Sequence, residues 1–416
     1  MRFWSKWGLC ILLFLATTLN YLDRQVLSVL APTVQAELHF GNEKLGWLFS
    51  VFYITYAVGQ MAIGTVLDRT NLRIFYAFAV VAWSLVSAGA GLATGFVSLL
   101  VLRGLLGVME APNWPSALRI LSRALPPKER TLGNGIFTSG TSVGALIAPA
   151  LSLGIAEMFG WRWAFIALGG IGLLWFAVWM VFTRSADMKP AWTNQADPAA
   201  AQKPSTSRLQ DYGRLLRSPR FWFVWLTAIT INPCLYFTTS WLPTYFAQVR
   251  GLTAGPQTKW ILTTVYLCLD LGYLSSGALV LLLSRMGRSV RTARRATFML
   301  ATTLVCLYPL VSGIQGLTNA VIAIGFVNFG LGLWIAIYLT IAQEVSPDNV
   351  ATAAGVLGGS GSAIGALAMW AVGRVTANGA GFSVPMIAVT TAALVAAMSA
   401  WVATSARMNP EEAKWS

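Results

Sequence analysis

The strongest constraint on this chain is the recurrence of apolar runs about 20 residues long, each able to cross a hydrocarbon core of about 30 Å as one helix. Twelve such runs are legible, at 8–31, 44–67, 73–92, 97–122, 131–156, 163–183, 220–248, 258–284, 295–313, 317–343, 350–375 and 382–405. In lipid the backbone must satisfy its own polar groups, and a helix does so within a single segment. The expected fold is therefore an all-α integral membrane protein with twelve transmembrane helices. The composition agrees, since 56% of the 416 residues are hydrophobic and only 11% are charged.

A net charge of +14 suggests a nucleic-acid partner until its distribution is read. With both termini placed inside and residues at the span ends counted with the adjoining loops, 22 of the 29 Lys and Arg fall in cytoplasmic segments, five fall outside, and two lie in the membrane. That bias is the positive-inside rule, so topology and lipid headgroups account for the basicity without nucleic acid. Cys10, Cys234, Cys268 and Cys306 all lie in apolar runs, without metal-site spacing or the loop placement of a disulfide framework. His39, the one histidine, falls in the first outer loop and reads as solvated. The first apolar run contains Asn20, Asp23 and Arg24 and lacks a small-residue cleavage site, so it reads as a retained span.

Hydropathy collapses between residues 184 and 219 into a stretch rich in Pro, Ala, Ser and basic residues. This reads as a cytoplasmic linker dividing an N-terminal six-helix bundle, 1–183, from a C-terminal one, 220–416. A faint echo of GTVLD at 64–68 occurs as GALVL at 277–281, 213 residues on, with Leu281 in place of Asp68. That offset places Tyr236 opposite Asp23 in the second half.

Charges inside the spans carry the functional argument. An ionised group at mid-membrane costs at least a few kcal/mol, so such residues face protein or water and find partners. In the stretch VSLLVLRGLLGVMEAPNWPSALRILS, Arg103 and Glu110 are seven residues apart and share a helical face. Gly104 and Gly107 allow another helix to approach, and Pro112 and Pro115 loosen the helix just beyond. A structural ion pair locking two helices is the plainer reading of the same residues. In the first span Asn20 and Arg24 share a face beside Tyr21, whereas Asp23 is rotated by about 100° from Arg24. The arginine can then address a ligand while the aspartate engages another helix or a proton path. Asp270, in the eighth span, reads either as a further proton site or as a structural hydrogen-bonding group.

Several motifs carry a resemblance. GTVLDRTNLR at 64–73, NYLDR at 20–24, RGLLGVMEAPNWPSALR followed by PPKER, GWRWAF at 160–165 and TSVGALIAPAL at 141–151 resemble the major facilitator superfamily. Within it they are similar to the anion:cation symporter group, which includes hexuronate, glucarate and galactonate permeases and vesicular glutamate and sialic-acid carriers. The resemblance covers essentially the whole chain and implies two pseudo-symmetric six-helix bundles working by alternating access. It implies that Arg24 takes a substrate carboxylate, that Asp23 and Glu110 handle protons, and that Tyr56 reaches the cavity. It also implies that Asp68, with Arg69 and Arg73 near it, holds an inner gate shut. Tyr21, Arg103, Thr141, Asn232, Tyr236, Trp334 and Ser360 are the further candidate substrate contacts. Thr141 and Gly358 depart from Gln and Asn in sugar-acid relatives, which points to a less polar site.

These residues give a mechanism. Asp23, Arg24, Arg103 and Glu110 sum to zero when ionised, and protonating either acid leaves +1, ready for a carboxylate. Proton and anion then favour one another's binding. The expectation is a proton-coupled importer of an organic anion, a hexuronate or related sugar acid, in a bacterial inner membrane, functional as a monomer and using the proton as coupling ion without another cofactor. Aromatic or short-chain carboxylates are the alternative cargo, and a non-transporting anion receptor is the alternative class. No nucleotide motif, nucleophile constellation or metal-ligand cluster is legible, so an enzyme or ATP-driven pump is not expected.

Overall fold

The computed structural model describes residues 3–67, 70–125, 127–185, 188, 192, 216–344 and 350–405. The described elements are helices: α1 (Phe3–Leu38), α2 (Asn42–Leu67), α3 (Leu72–Ala90), α4 (Phe96–Glu110), α5 (Asn113–Ala124), α6 (Pro127–Phe159), α7 (Trp161–Phe182), α8 (Pro219–Arg250), α9 (Pro256–Arg285), α10 (Val290–Val305), α11 (Tyr308–Val311), α12 (Leu317–Glu344), α13 (Val350–Ala377) and α14 (Ser383–Ala403). Ten spans among the described residues are long and apolar enough to cross a membrane, with α4 and α5 counted as one. The expected fourth span breaks where Pro112 falls between α4 and α5. The ninth likewise breaks into α10 and the short α11, which contains Pro309. Proline removes a backbone donor and interrupts the ladder at such points.

The chain divides into two compact units, Met1–Pro204 with Leu252–Trp260, and Ser205–Gly251 with Ile261–Ser416. In the first unit α1 packs on α6, α2 on α4, and α3 on α7. The second repeats this order: α8 packs on α13, α10 and α11 on α14, while Asn328 and Ser276 hydrogen-bond α12 to α9.

Small residues set these pairings, because without a hydrophobic drive in lipid, helices associate by close packing. A Cβ on Gly140 would fall 2.6 Å from the Phe14 carbonyl, and one on Gly144 would fall 2.8 Å from Tyr21 Cβ, so α1 lies directly against α6. In the second unit, 221 residues on, a Cβ on Gly361 of α13 would fall 2.5 Å from Asn232 Nδ2, and one on Gly365 would run into the Tyr236 ring. These seats pair Tyr236 with Tyr21, correcting the register that set it opposite Asp23.

The repeat extends to the helix ends. Arg73, at the start of α3, donates to Thr183 Oγ1 (2.8 Å) and the Met180 carbonyl (3.1 Å) at the end of α7. Arg295 of α10 donates to Thr404 Oγ1 (3.2 Å) and the Trp401 carbonyl (2.9 Å) at the end of α14. Both acceptor sets belong to a helix C-terminus, where carbonyls lack intrahelical donors and a cation is favoured.

Candidate functional site

The polar centre of the first unit is built on α1, α2 and α4. Gly107 brings α4 onto α2 so closely that a Cβ there would lie 2.4 Å from the Phe52 carbonyl and 3.0 Å from the Tyr56 nitrogen. One turn later, Glu110 is carried to the same interface and is fully buried. Gly144 of α6 seats the Tyr21 Cβ, and Arg24, one turn beyond Tyr21 and close to its face of α1, reaches the interface of α2 and α4.

There Arg24 Nε donates to Glu110 Oε2 across 2.6 Å, with the arginine side chain 14% exposed and the glutamate 0%. Its guanidinium carbon lies 4.4 Å from the Tyr56 ring centre, 4.9 Å from Tyr21 and 5.3 Å from Phe52. Arg103 shares the Phe52 ring at 5.1 Å. Aromatic faces stabilise desolvated cations, and Arg is favoured over Lys because its planar group stacks. Helical spacing puts Arg103 and Glu110 on one face, but the short ion pair is made from another helix.

The pair does not exhaust the donors and acceptors present. Arg24 Nη2, Arg103 Nε and Nη1, Glu110 Oε1 and both amide atoms of Asn20 are buried without a well-aligned hydrogen bond among the described residues, although Asn20 lies beside Glu110 and the Tyr56 hydroxyl beside Arg24. Buried polar groups are almost always satisfied, so such a concentration marks a place prepared for a ligand, ion or water. Guanidinium edges recognise carboxylates bidentately.

Asp23, 2% exposed, turns to α3, accepting a 2.5 Å bond from Ser87 Oγ. The 100° rotation between neighbouring helix positions is what separates it from Arg24. Ser87 carries no charge and sits in an ordinary apolar run, so nothing in the sequence singled it out. The same holds for Asn113, which accepts from Tyr76 Oη (2.8 Å) and reaches Thr17 Oγ1 (3.4 Å), tying the start of α5 to α3 and α1.

The remaining candidates make local contacts. Thr141 Oγ1 bonds back to the Thr138 carbonyl at 2.9 Å, and Ser360 Oγ to the Val356 carbonyl at 2.6 Å, each within its own helix. In the second unit Asn232 donates to the Ala228 carbonyl at 2.8 Å, and Tyr236 Oη lies 3.1 Å from Ser362 Oγ. Asp270 is buried on α9. Trp334 corrects the sequence reading, which placed it in a substrate-facing wall. It is fully buried, donates to Thr302 Oγ1 at 2.8 Å and stacks on Phe298 at 5.4 Å, so its indole belongs to the packing of α12 on α10. Asp68 and Arg69 lie outside the described residues. Among the described residues no group of His, Cys, Asp and Glu has the makings of a metal site.

A duplicated helical bundle with apolar spans and a buried, incompletely satisfied charge cluster defines a multi-pass membrane protein of the carrier class. The chain belongs to the Major Facilitator Superfamily, whose family model matches residues 13–369. It is thus a transporter and not an enzyme. The D-galactonate transporter of Escherichia coli O6:H1 is 28% identical, over 94% of this chain and 93% of its own length. The hexuronate transporter of Escherichia coli K12 is 30% identical, over 92% and 90%. That of Bacillus subtilis is 31% identical, over 83% and 82%. Among solved structures, a bacterial homolog of the human lysosomal transporter Spinster superposes with a TM-score of 0.80, at 20% identity and covering 99% of each chain, a likeness of fold.

Proposed function

We propose that this protein imports a hexuronate or a related sugar acid together with a proton, by alternating access, across a bacterial inner membrane with both termini in the cytoplasm. The observation that carries the reading is the buried Arg24–Glu110 pair, with unused guanidinium nitrogens on Arg24 and Arg103 beside it. The names of the hexuronate and galactonate transporters support the cargo class.

The chemistry follows from charge. With Glu110 ionised, Arg24 is neutralised internally and an incoming carboxylate meets no net attraction. A proton on Glu110 releases the arginine, whose edge then binds the carboxylate with Arg103 contributing field. Loss of the proton restores the internal pair and expels the anion. Each ligand therefore strengthens the other, which is the thermodynamic requirement for symport. Tyr21 and Tyr56, stacked about Arg24, hold the guanidinium in place and offer hydroxyls. Asn232, Tyr236, Ser360 and Thr141 supply neutral polar groups for the rest of the cargo. Asp23, held by Ser87, and Asp270 are further acids on which a second proton can travel. Asp68, Arg69 and Arg73 act at the inner gate, with Arg73 fixed to the end of α7.

One observation favours a second cargo. A Cβ on Gly358 would meet nothing within 4 Å, so the α13 face that carries Ser362 is open one turn earlier. That space suits an aromatic or short-chain carboxylate with fewer hydroxyls. Thermal stabilisation of the purified protein by galacturonate, glucuronate, galactonate, an aromatic carboxylate and lactate separates the two, because a ligand that binds only the folded state raises its stability. Selective response to a sugar acid supports the first cargo, and response to the aromatic acid alone supports the second.

A further inference from the structure

We propose that the corner between α9 and α10 is a binding site for the phosphate headgroup of an anionic phospholipid. Five arginines lie between Arg285 and Arg295, and no Asp or Glu occurs anywhere from residue 271 to residue 343. Topology explains why cations gather on this face, and the acids nearest to them in sequence are Asp270 and Glu344.

The internal repeat shows which cation is left over. Asn71 caps α3 and Ser289 caps α10, each side chain accepting a backbone N–H of the first turn. Counted from these caps, Arg73 corresponds to Arg291. Arg73 uses its guanidinium on the C-terminal end of α7. In the second unit Arg295, one turn further on, takes the equivalent acceptors at the end of α14. Arg291 is thereby displaced from that role, and its Nε and Nη2 are buried without an acceptor among the described residues. Buried guanidinium donors left unsatisfied are costly, and an anion removes that cost.

Two features favour a lipid over a soluble anion. The arginines alternate with exposed apolar side chains: Leu282 is 55% exposed, Met286 70% and Val290 52%. An anion seated at Arg288 and Arg291 is therefore flanked by surface suited to acyl chains. The α10 N-terminus, 16 residues of helix behind it, adds its positive dipole end at the same place.

The test is native mass spectrometry of the full chain with phosphatidylglycerol or phosphatidylcholine, comparing wild type, the Arg288→Gln/Arg291→Gln variant and a control, Arg184→Gln/Arg217→Gln, that removes two exposed cations elsewhere. Each arginine near an anionic surface is worth about a factor of five in affinity, so the α10 variant is expected to bind phosphatidylglycerol about 25-fold more weakly. The control is expected to bind like wild type. If the double variant does not fold, Arg288→Gln alone is expected to show about a fivefold loss. Equal losses in variant and control, or no preference for phosphatidylglycerol over phosphatidylcholine, overturn the site. Displacement of the lipid by inorganic phosphate at equal concentration also overturns it in favour of a soluble anion.

Discussion

Arg24 and Glu110 are 86 residues apart in sequence and meet inside the first unit, guanidinium Nε to carboxylate Oε2, at 2.6 Å. Neither charge has bulk water to fall back on, since the glutamate is wholly buried and the arginine nearly so. The pair therefore behaves as a unit in which altering one partner changes the cost of keeping the other.

Arg24→Ala is expected to abolish anion binding and to destabilise the protein by about 3–5 kcal/mol, because an unpaired buried carboxylate remains. Adding Glu110→Gln to that variant recovers most of the stability but none of the binding. Thermal unfolding and ligand titration of the two single variants and the double variant read both quantities. Additive losses of stability would show that the two residues are not coupled.

Arg24→Lys keeps the charge and loses the planar fork that the Tyr21, Tyr56 and Phe52 rings embrace. Affinity is expected to fall at least about tenfold, measured by titration, because lysine neither stacks nor binds a carboxylate bidentately. An unchanged affinity would mean that only a point charge is needed.

Glu110→Gln is expected to end proton-driven accumulation in liposomes while part of the anion exchange survives. The amide preserves the volume and a hydrogen-bonding oxygen for Arg24 but cannot release a proton. Accumulation at wild-type levels would move coupling to Asp23 or Asp270.

Glycines sort by what surrounds them. Gly107→Ala places a Cβ 2.2 Å from Thr55 Oγ1 and 2.4 Å from the Phe52 carbonyl, so α4 must move off α2, and a loss of about 1–3 kcal/mol is expected. Gly358→Ala, with nothing within 4 Å, is expected to leave thermal stability unchanged or slightly raised. Equal effects from the two would contradict the packing described.

How much of this was legible in the sequence depended on the kind of signal. Apolar run length gives the helices directly, since the thickness of a bilayer is fixed. The polar positions on α1 and α4 stand out because a charge among leucines is expensive. Partner choice is another matter. Periodicity sets Arg103 and Glu110 on one face, but the packing of α1 against α2 and α4 makes Arg24 the group that reaches Glu110. Trp334 shows the same gap: aromatic content does not say which neighbour covers the ring, and Phe298 and Thr302 claim it. The repeat register failed because loops of unequal length separate the helices, so the 213-residue offset of the loop echo differs from the 221 residues between Gly140 and Gly361. Ser87 was invisible because a serine in an apolar run is cheap and common, and only the fold brings it to Asp23.

In the proposed cycle a proton on Glu110 frees Arg24 for a carboxylate. The most direct test of this step is the affinity of the purified protein for galacturonate at acidic and at neutral pH, in wild type and in Glu110→Gln. Binding is expected to be tighter at acidic pH in wild type, and in the variant to be the same at both. Wild-type affinity that is the same at both pH values would contradict this step.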